Sequence, residues 1–287
     1  MSIEQPSRIA MITGANSGIG LELTLQLLAK GWQVVTLNRS DFPLGSSAIQ
    51  KAIASGRLRN YKVRDLTDYT SLHEALGEIK SKEQHIDVLF NNAGGSFDDL
   101  ESSKQGRELH YELMAVVPYI IVMEMMSLLK TGHIKTVINT SSSVIVIPSE
   151  VSIATLEHPT KFRKLFGPYA SSKLALTLWT YAVAPQLAKD QINIRSVDPG
   201  GNNTLKKGKK SGLPLPIEWL QRFVFPKPTH GAKQLYEGAF ETHLNESGVF
   251  ISKGKISKIK FIDQAPELLE RMHTLYTNEF LPLKKRV

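Results

Sequence analysis

The chain has 287 residues, 41 % of them hydrophobic, and 35 lysines and arginines against 27 acids give it a formal net charge of +8. That length can bury a substantial core, and the lack of cysteine excludes disulfides and thiolate metal sites and fits a reducing cytoplasm. No run is expected to reach the roughly 18–20 apolar residues of a membrane span, and MSIEQPSRIAMI has no secretory-signal pattern. These features together predict a cytoplasmic protein with no integral membrane segment.

In chain order, RIAMITG (8–14) predicts a buried strand stopped by glycine, and GLELTLQLLAKG (20–31) a helix with a broad leucine face. QVVTLN (33–38) and LRNYKVRDL (58–66) predict the next two strands. A helix centred on 68–83 leads to a fourth strand in IDVLFNNAG (86–94). ELHYELMAVVPYIIVMEMMSLLK (108–130) predicts a long apolar helix, which Pro118 either kinks or leaves intact. HIKTVINTSS (133–142) and INIRSVDPG (192–200) predict strands on either side of a helix over 168–189. Strand–helix–strand at this spacing predicts parallel βαβ units in one domain.

Much of the positive charge is local, in LKKGKKSG (205–212) and the terminal KKRV. Neither stretch interleaves bases with aromatics, so no nucleic-acid partner is expected. The basic loop reads as a solvated segment or as an attraction for an anionic ligand. His85, His110, His133 and His158 lack the chain spacing of metal ligands and are expected at the surface or as caps, with no metal.

TGANSGIG (13–20) joins the first strand to the first helix and places Gly14, Gly18 and Gly20 in a G-x-x-x-G-x-G pattern. Such a loop makes a tight turn and aims free helix amides at a diphosphate. An acid at the end of the second strand would bind the adenosine ribose diol, but the chain has Asn38, Arg39 and Ser40 there. Arginine pairs with a 2′-phosphate that a carboxylate repels, which favours NADP(H); Asp41 close by acts in the other direction. Arg39 can also be read as a surface residue closing a strand. Asn91 has two readings, contact with the cofactor or an amide tie between strands.

Tyr169 and Lys173, four residues apart, share one face of the 168–189 helix. A phenol with a free pKa near ~10 is a poor acid at neutral pH, and a nearby ammonium is expected to lower it.

The ordered set TGANSGIG, Asp65–Leu66, NNAG (91–94), the serines of INTSSSV, YASSK (169–173) and DPG (198–200) resembles the short-chain dehydrogenase/reductase family, from about residue 8 to 262. LNRS, SKLAL (172–176) and GVF (248–250) resemble its branch of retinol-dehydrogenase-like proteins and related carbonyl reductases. The resemblance implies an α/β fold: a single Rossmann-like domain over 1–287, with a doubly wound parallel sheet and helices on both faces. It also implies NADP(H) held by the loop residues Gly14, Asn16, Ser17, Gly18, Ile19 and Gly20 and by Asn38 and Arg39. Asp65 and Leu66 would lie near the adenine, and Asn92, Ala93 and Gly94 at the next strand end. Pro199, Gly200 and Thr204 would lie near the nicotinamide, with Tyr169 and Lys173 touching it as well. Tyr169 would be the acid or base, Lys173 its tuning cation, and Ser142 the hydroxyl that holds the substrate oxygen, with Ser141 and Ser143 as neighbouring alternatives.

Two departures stand out. Family members commonly have an asparagine where this chain has Met114, and a thioether cannot relay protons. Ser142 and Tyr169 are also 27 residues apart, with an insert covering 144–167. This insert and 201–225, where Leu213, Leu215, Ile217, Trp219 and Leu220 could form a lid, are the expected walls of an apolar substrate site. The expected activity is NADPH-dependent hydride transfer to an apolar aldehyde or ketone, or from the corresponding alcohol. The alternative is a catalytically weak or inactive NADP(H)-binding sensor or scaffold. The 108–130 helix could also feed a homodimer or homotetramer interface.

Overall fold

Parallel strands covered on both faces need apolar side chains at successive positions, and β1 (Ile9–Thr13), IAMIT, is buried at all of them. The computed structural model describes residues 7–201 and 226–285. Thr204, the 205–212 lysines and the lid residues 213–220 lie outside the described residues.

From β1 the chain runs through helix α1 (Gly18–Ala29), strand β2 (Gln33–Asn38) and helix α2 (Ser47–Ala54). Strand β3 (Leu58–Lys62) precedes α3 (Tyr69–Lys82) and β4 (Val88–Asn91). Helix α4 (Leu109–Thr131) leads to β5 (Thr136–Thr140). After the short α5 (Ile153–Glu157), α6 (Pro168–Ala188) precedes β6 (Asn193–Val197). Helix α7 (Pro228–Phe240), the short strands β7 (Phe250–Ser252) and β8 (Lys255–Ser257), and α8 (Ala265–Leu275) complete the described chain.

The eight strands form one sheet in the order β3-β2-β1-β4-β5-β6-β7-β8. All pairings are parallel except β7 with β8. Helices lie on both faces. Leu72, Ile120, Trp179 and Met272, from α3, α4, α6 and α8, share one core cluster. Leu23, Ile49 and Leu235, from α1, α2 and α7, share the other. The strand order reverses between β1 and β4, and open α/β sheets bind ligands outside the carboxyl ends of their strands at such a reversal.

Helix α4 is long and apolar enough to cross a membrane, contrary to the reading of the sequence, but 78 % of its most apolar window is buried inside the protein. A π-turn over Glu112–Val116 interrupts it. Pro118 follows that turn as an N-terminal residue of the next α-helical segment, where its missing N–H costs little, and the helix runs on.

Candidate active site

The glycine loop is held open from several sides. Asn16 Nδ2 donates to Ser40 Oγ at 2.8 Å, and Ala15 N–H donates to Asn38 Oδ1 at 2.7 Å. Asn38 is itself buried, with its amide given to Asn60. Its side chain therefore braces the loop. A Cβ on Gly20 would lie 2.2 Å from the Gly14 carbonyl oxygen, so only glycine lets α1 approach β1 this closely. Ser17 caps α1 without a side-chain hydrogen bond, and the first turn has no acid. The first-turn amides are thus free of side-chain acceptors, as a diphosphate site requires.

Asn92 and Ala93 complete the opposite wall, where both backbone N–H groups donate to Thr13 Oγ1. Asn91 takes the structural option: its amide donates to Asn139 Oδ1 on β5 at 2.9 Å. Asp65, exposed at the end of the segment after β3, accepts from Thr67 N–H and Oγ1. Leu66 beside it is buried. Arg39 is exposed, and Asp41 is occupied by Lys62 Nζ at 2.8 Å and Asn60 Nδ2 at 3.4 Å.

The carboxyl ends of β5 and β6 meet α6 at the candidate site. Ser142 stands where β5 gives way to a tight turn, within hydrogen-bonding reach of the Tyr169 phenol. The alternatives fall away on geometry: Ser141 is buried against Thr177 Oγ1 at 2.7 Å, and Ser143 is exposed. Lys173 is buried and donates to the Thr140 carbonyl at 2.6 Å.

Lys173 does not depress the phenol as expected. Its Nζ lies 6.0 Å from the Tyr169 ring centre and is committed to Thr140. Burial pushes the Tyr169 phenol up to about 12; the Asp198 carboxylate adds to this, and the Ser142 hydrogen bond opposes it. Burial also brings the Lys173 ammonium down to about 8, against the pull of Asp198. The resting site at neutral pH therefore holds a neutral phenol beside an ammonium.

Two groups escaped the sequence reading. Asp198, buried where β6 ends, accepts from Gly200 N–H and Ser252 Oγ, fixing the Pro199–Gly200 turn near Tyr169 and Lys173. His110, expected at the surface, is fully buried. Its Nε2 accepts the Phe97 N–H at 3.0 Å, so Nδ1 carries the proton given to Glu108 at 2.6 Å. The imidazole stands edge-on to the Tyr169 ring, 6.1 Å between centres. The motif DPG contained a signal for the first; nothing local marked the second.

Met114 lies close to Lys173: a Cβ on Gly94 would meet Met114 Sδ at 3.0 Å and Lys173 Nζ at 3.7 Å. The insert over 144–167 is tied to the C-terminal part of the chain. Lys260 Nζ binds the Val146 and Pro148 carbonyls, and Arg271 makes a two-point contact with Glu157. Near Ser142 and Tyr169 in the chain, the insert exposes Val146, Ile147 and Phe166.

A glycine-cradled, doubly wound sheet with a Ser–Tyr–Lys centre defines a nicotinamide-dependent oxidoreductase fold. The short chain dehydrogenase family model matches residues 8–211, and the chain belongs to the short-chain dehydrogenase/reductase family, near its retinol-dehydrogenase-like branch. The short-chain type dehydrogenase/reductase VdlC of Helicobacter pylori is 27 % identical over 267 residues, 92 % of this chain and 86 % of that one. Human retinol dehydrogenase 13 is 25 % identical over 211 residues, covering 72 % of this chain and 62 % of its own. The fold is similar to that of NADPH-bound carbonyl reductase from chicken fatty liver, with a TM-score of 0.64 at 18 % identity over 88 % of this chain and 99 % of that one.

Proposed function

We propose that the protein is an NADPH-dependent oxidoreductase that reduces an apolar aldehyde or ketone, or oxidises the corresponding alcohol, with Tyr169 as acid or base. The observation that carries the reading is the convergence of the Ser142 and Tyr169 hydroxyls beside the buried Lys173.

A nicotinamide dinucleotide fits the residues present. The first-turn amides of α1 and the Gly14–Gly20 approach suit its diphosphate. Among the described residues, Thr140 Oγ1 is buried without a hydrogen-bond partner at the carboxyl end of β5, one residue from Ser141. The 2′-phosphate preference rests on Arg39, exposed at the end of β2, together with the neutralised Asp41.

When bound, such a cofactor supplies or accepts the hydride. The chain's own residues handle the proton. In reduction the Ser142 hydroxyl donates a hydrogen bond to the substrate oxygen, and Tyr169 gives that oxygen its proton as negative charge develops. The Lys173 ammonium, committed to the Thr140 carbonyl with its Nζ 6.0 Å from the Tyr169 ring centre, contributes only a longer-range positive charge to the phenolate left behind. Oxidation runs the same proton path in reverse. The exposed Val146, Ile147 and Phe166 favour a substrate with an apolar body.

The test is Tyr169→Phe assayed with an apolar aldehyde and NADPH. Binding of NADPH by titration should be kept and turnover lost, because only the ionisable hydroxyl is removed. Turnover within a few-fold of wild type would overturn the mechanism.

A further inference from the structure

At the amino ends of the central strands β4 and β5, the other end from Tyr169, three side chains from two parts of the sequence come together. His85 precedes β4, Asp87 stands at its start, and His133 lies in the turn between α4 and β5. Gly132 makes this possible, because a Cβ there would lie 2.2 Å from the Ile86 carbonyl oxygen. One ligand atom from each of the three lies within 4.8 Å of the other two.

We propose that His85, Asp87 and His133 bind one divalent transition-metal ion of the zinc type. Asp87 is fully buried, and its carboxylate is oriented by the protein: Oδ1 accepts the His133 N–H at 2.6 Å and Oδ2 the Ile9 N–H at 2.7 Å. Carboxylate ligands are held by outer hydrogen bonds of this kind, which leave other lone pairs for a metal.

His85 Nε2 lies 3.4 Å from Asp87 Oδ2, too far for a good hydrogen bond. That separation is the edge of a tetrahedral site, since two ligands about 2.0–2.1 Å from zinc stand about 3.3–3.4 Å apart. The Ser7 carbonyl accepts a hydrogen bond from the same nitrogen at 3.1 Å, through a proton that metal binding would displace. The His85 and His133 rings have centres 5.4 Å apart, close to the separation of about 5 Å for two imidazoles on one ion. His133 is exposed, so its ring can turn to close the set.

The ion would clip the entrance to β1, the start of β4 and the α4–β5 turn. It lies at the other end of the strands from Tyr169, so its contribution is to stability.

The test uses the full chain, stripped with a chelator and titrated with zinc chloride by calorimetry and thermal unfolding. One ion per chain and a rise in melting temperature reversed by chelator are expected. His133→Ala and His85→Gln should each weaken binding about tenfold or more and lose the rise, while NADPH binding is unchanged. His133→Gln serves as a second surface variant should either of these fold poorly. Absence of bound zinc, or binding unaltered by the histidine substitutions, would overturn the proposal.

Discussion

Asp41 and Lys62 decide what Arg39 can do in the proposed contact with a 2′-phosphate. Lys62 and Asn60 hold the Asp41 carboxylate, so Lys62→Ala should release an acid beside the 2′-phosphate position. Because the pair is exposed, the effect is modest and salt-dependent. We expect NADPH affinity to fall a few-fold relative to NADH, and Asp41→Ala in the same chain to restore it; paired titrations of both cofactors read this directly. At the proposed reaction centre, Tyr169 stays neutral until about pH 12 and Lys173 stays charged until about 8. Both charge states that favour reduction therefore hold at neutral pH. The rate should be level below the lysine value and fall as pH rises through it, in a kcat/KM profile for carbonyl reduction. Met114 carries no proton, so Met114→Leu should leave that rate within a few-fold of wild type.

Gly20 sets the position of α1 against β1. Gly20→Ala drives a methyl into the Gly14 carbonyl, a backbone atom that cannot step aside. It should cost about 1–3 kcal/mol of stability and weaken NADPH binding more than tenfold, measured by denaturant unfolding and titration. The elements that carry the cofactor cleft were legible because buried parallel strands are continuous apolar runs and glycine punctuates their ends. Strand β3 stops at Lys62, short of its predicted end, because the chain leaves the sheet before Asp65. Helices α2, α7 and α8 and the three-residue strands β7 and β8 were not anticipated, being either short or polar on one whole face. The Tyr169–Lys173 pair was legible as a local spacing. His110 with Glu108, and Asp87 with its two histidines, owe their environments to contacts between elements far apart in sequence, and no chain spacing encodes those.

Across the whole molecule, the segment after β8 closes over α4. Tyr276 donates to Glu124 and packs edge-on to Tyr119, while Phe280 packs on Tyr69. Beneath them Arg107 binds Glu112, Glu279 and the Tyr69 hydroxyl, and burial raises the Glu112 pKa against the pull of that arginine. Arg107→Leu would strand the Glu112 carboxylate and should destabilise the fold by about 3–5 kcal/mol. Adding Glu112→Leu should recover much of the loss, as chemical denaturation of the single and double variants would reveal. Since the chain's own residues occupy this face of α4, light scattering should find a monomer and not the dimer or tetramer that the bare helix suggests.

The Tyr276–Glu124 bond joins residues 152 positions apart. At about 5–20 residues per second, a ribosome needs roughly 8–30 s to make that stretch of chain. For that interval a helix apolar enough for a bilayer lacks part of its cover, which makes the nascent chain a natural client for a chaperone. Mutations that shorten or loosen the segment after β8 should therefore lower the yield of folded protein before they touch the chemistry at Tyr169.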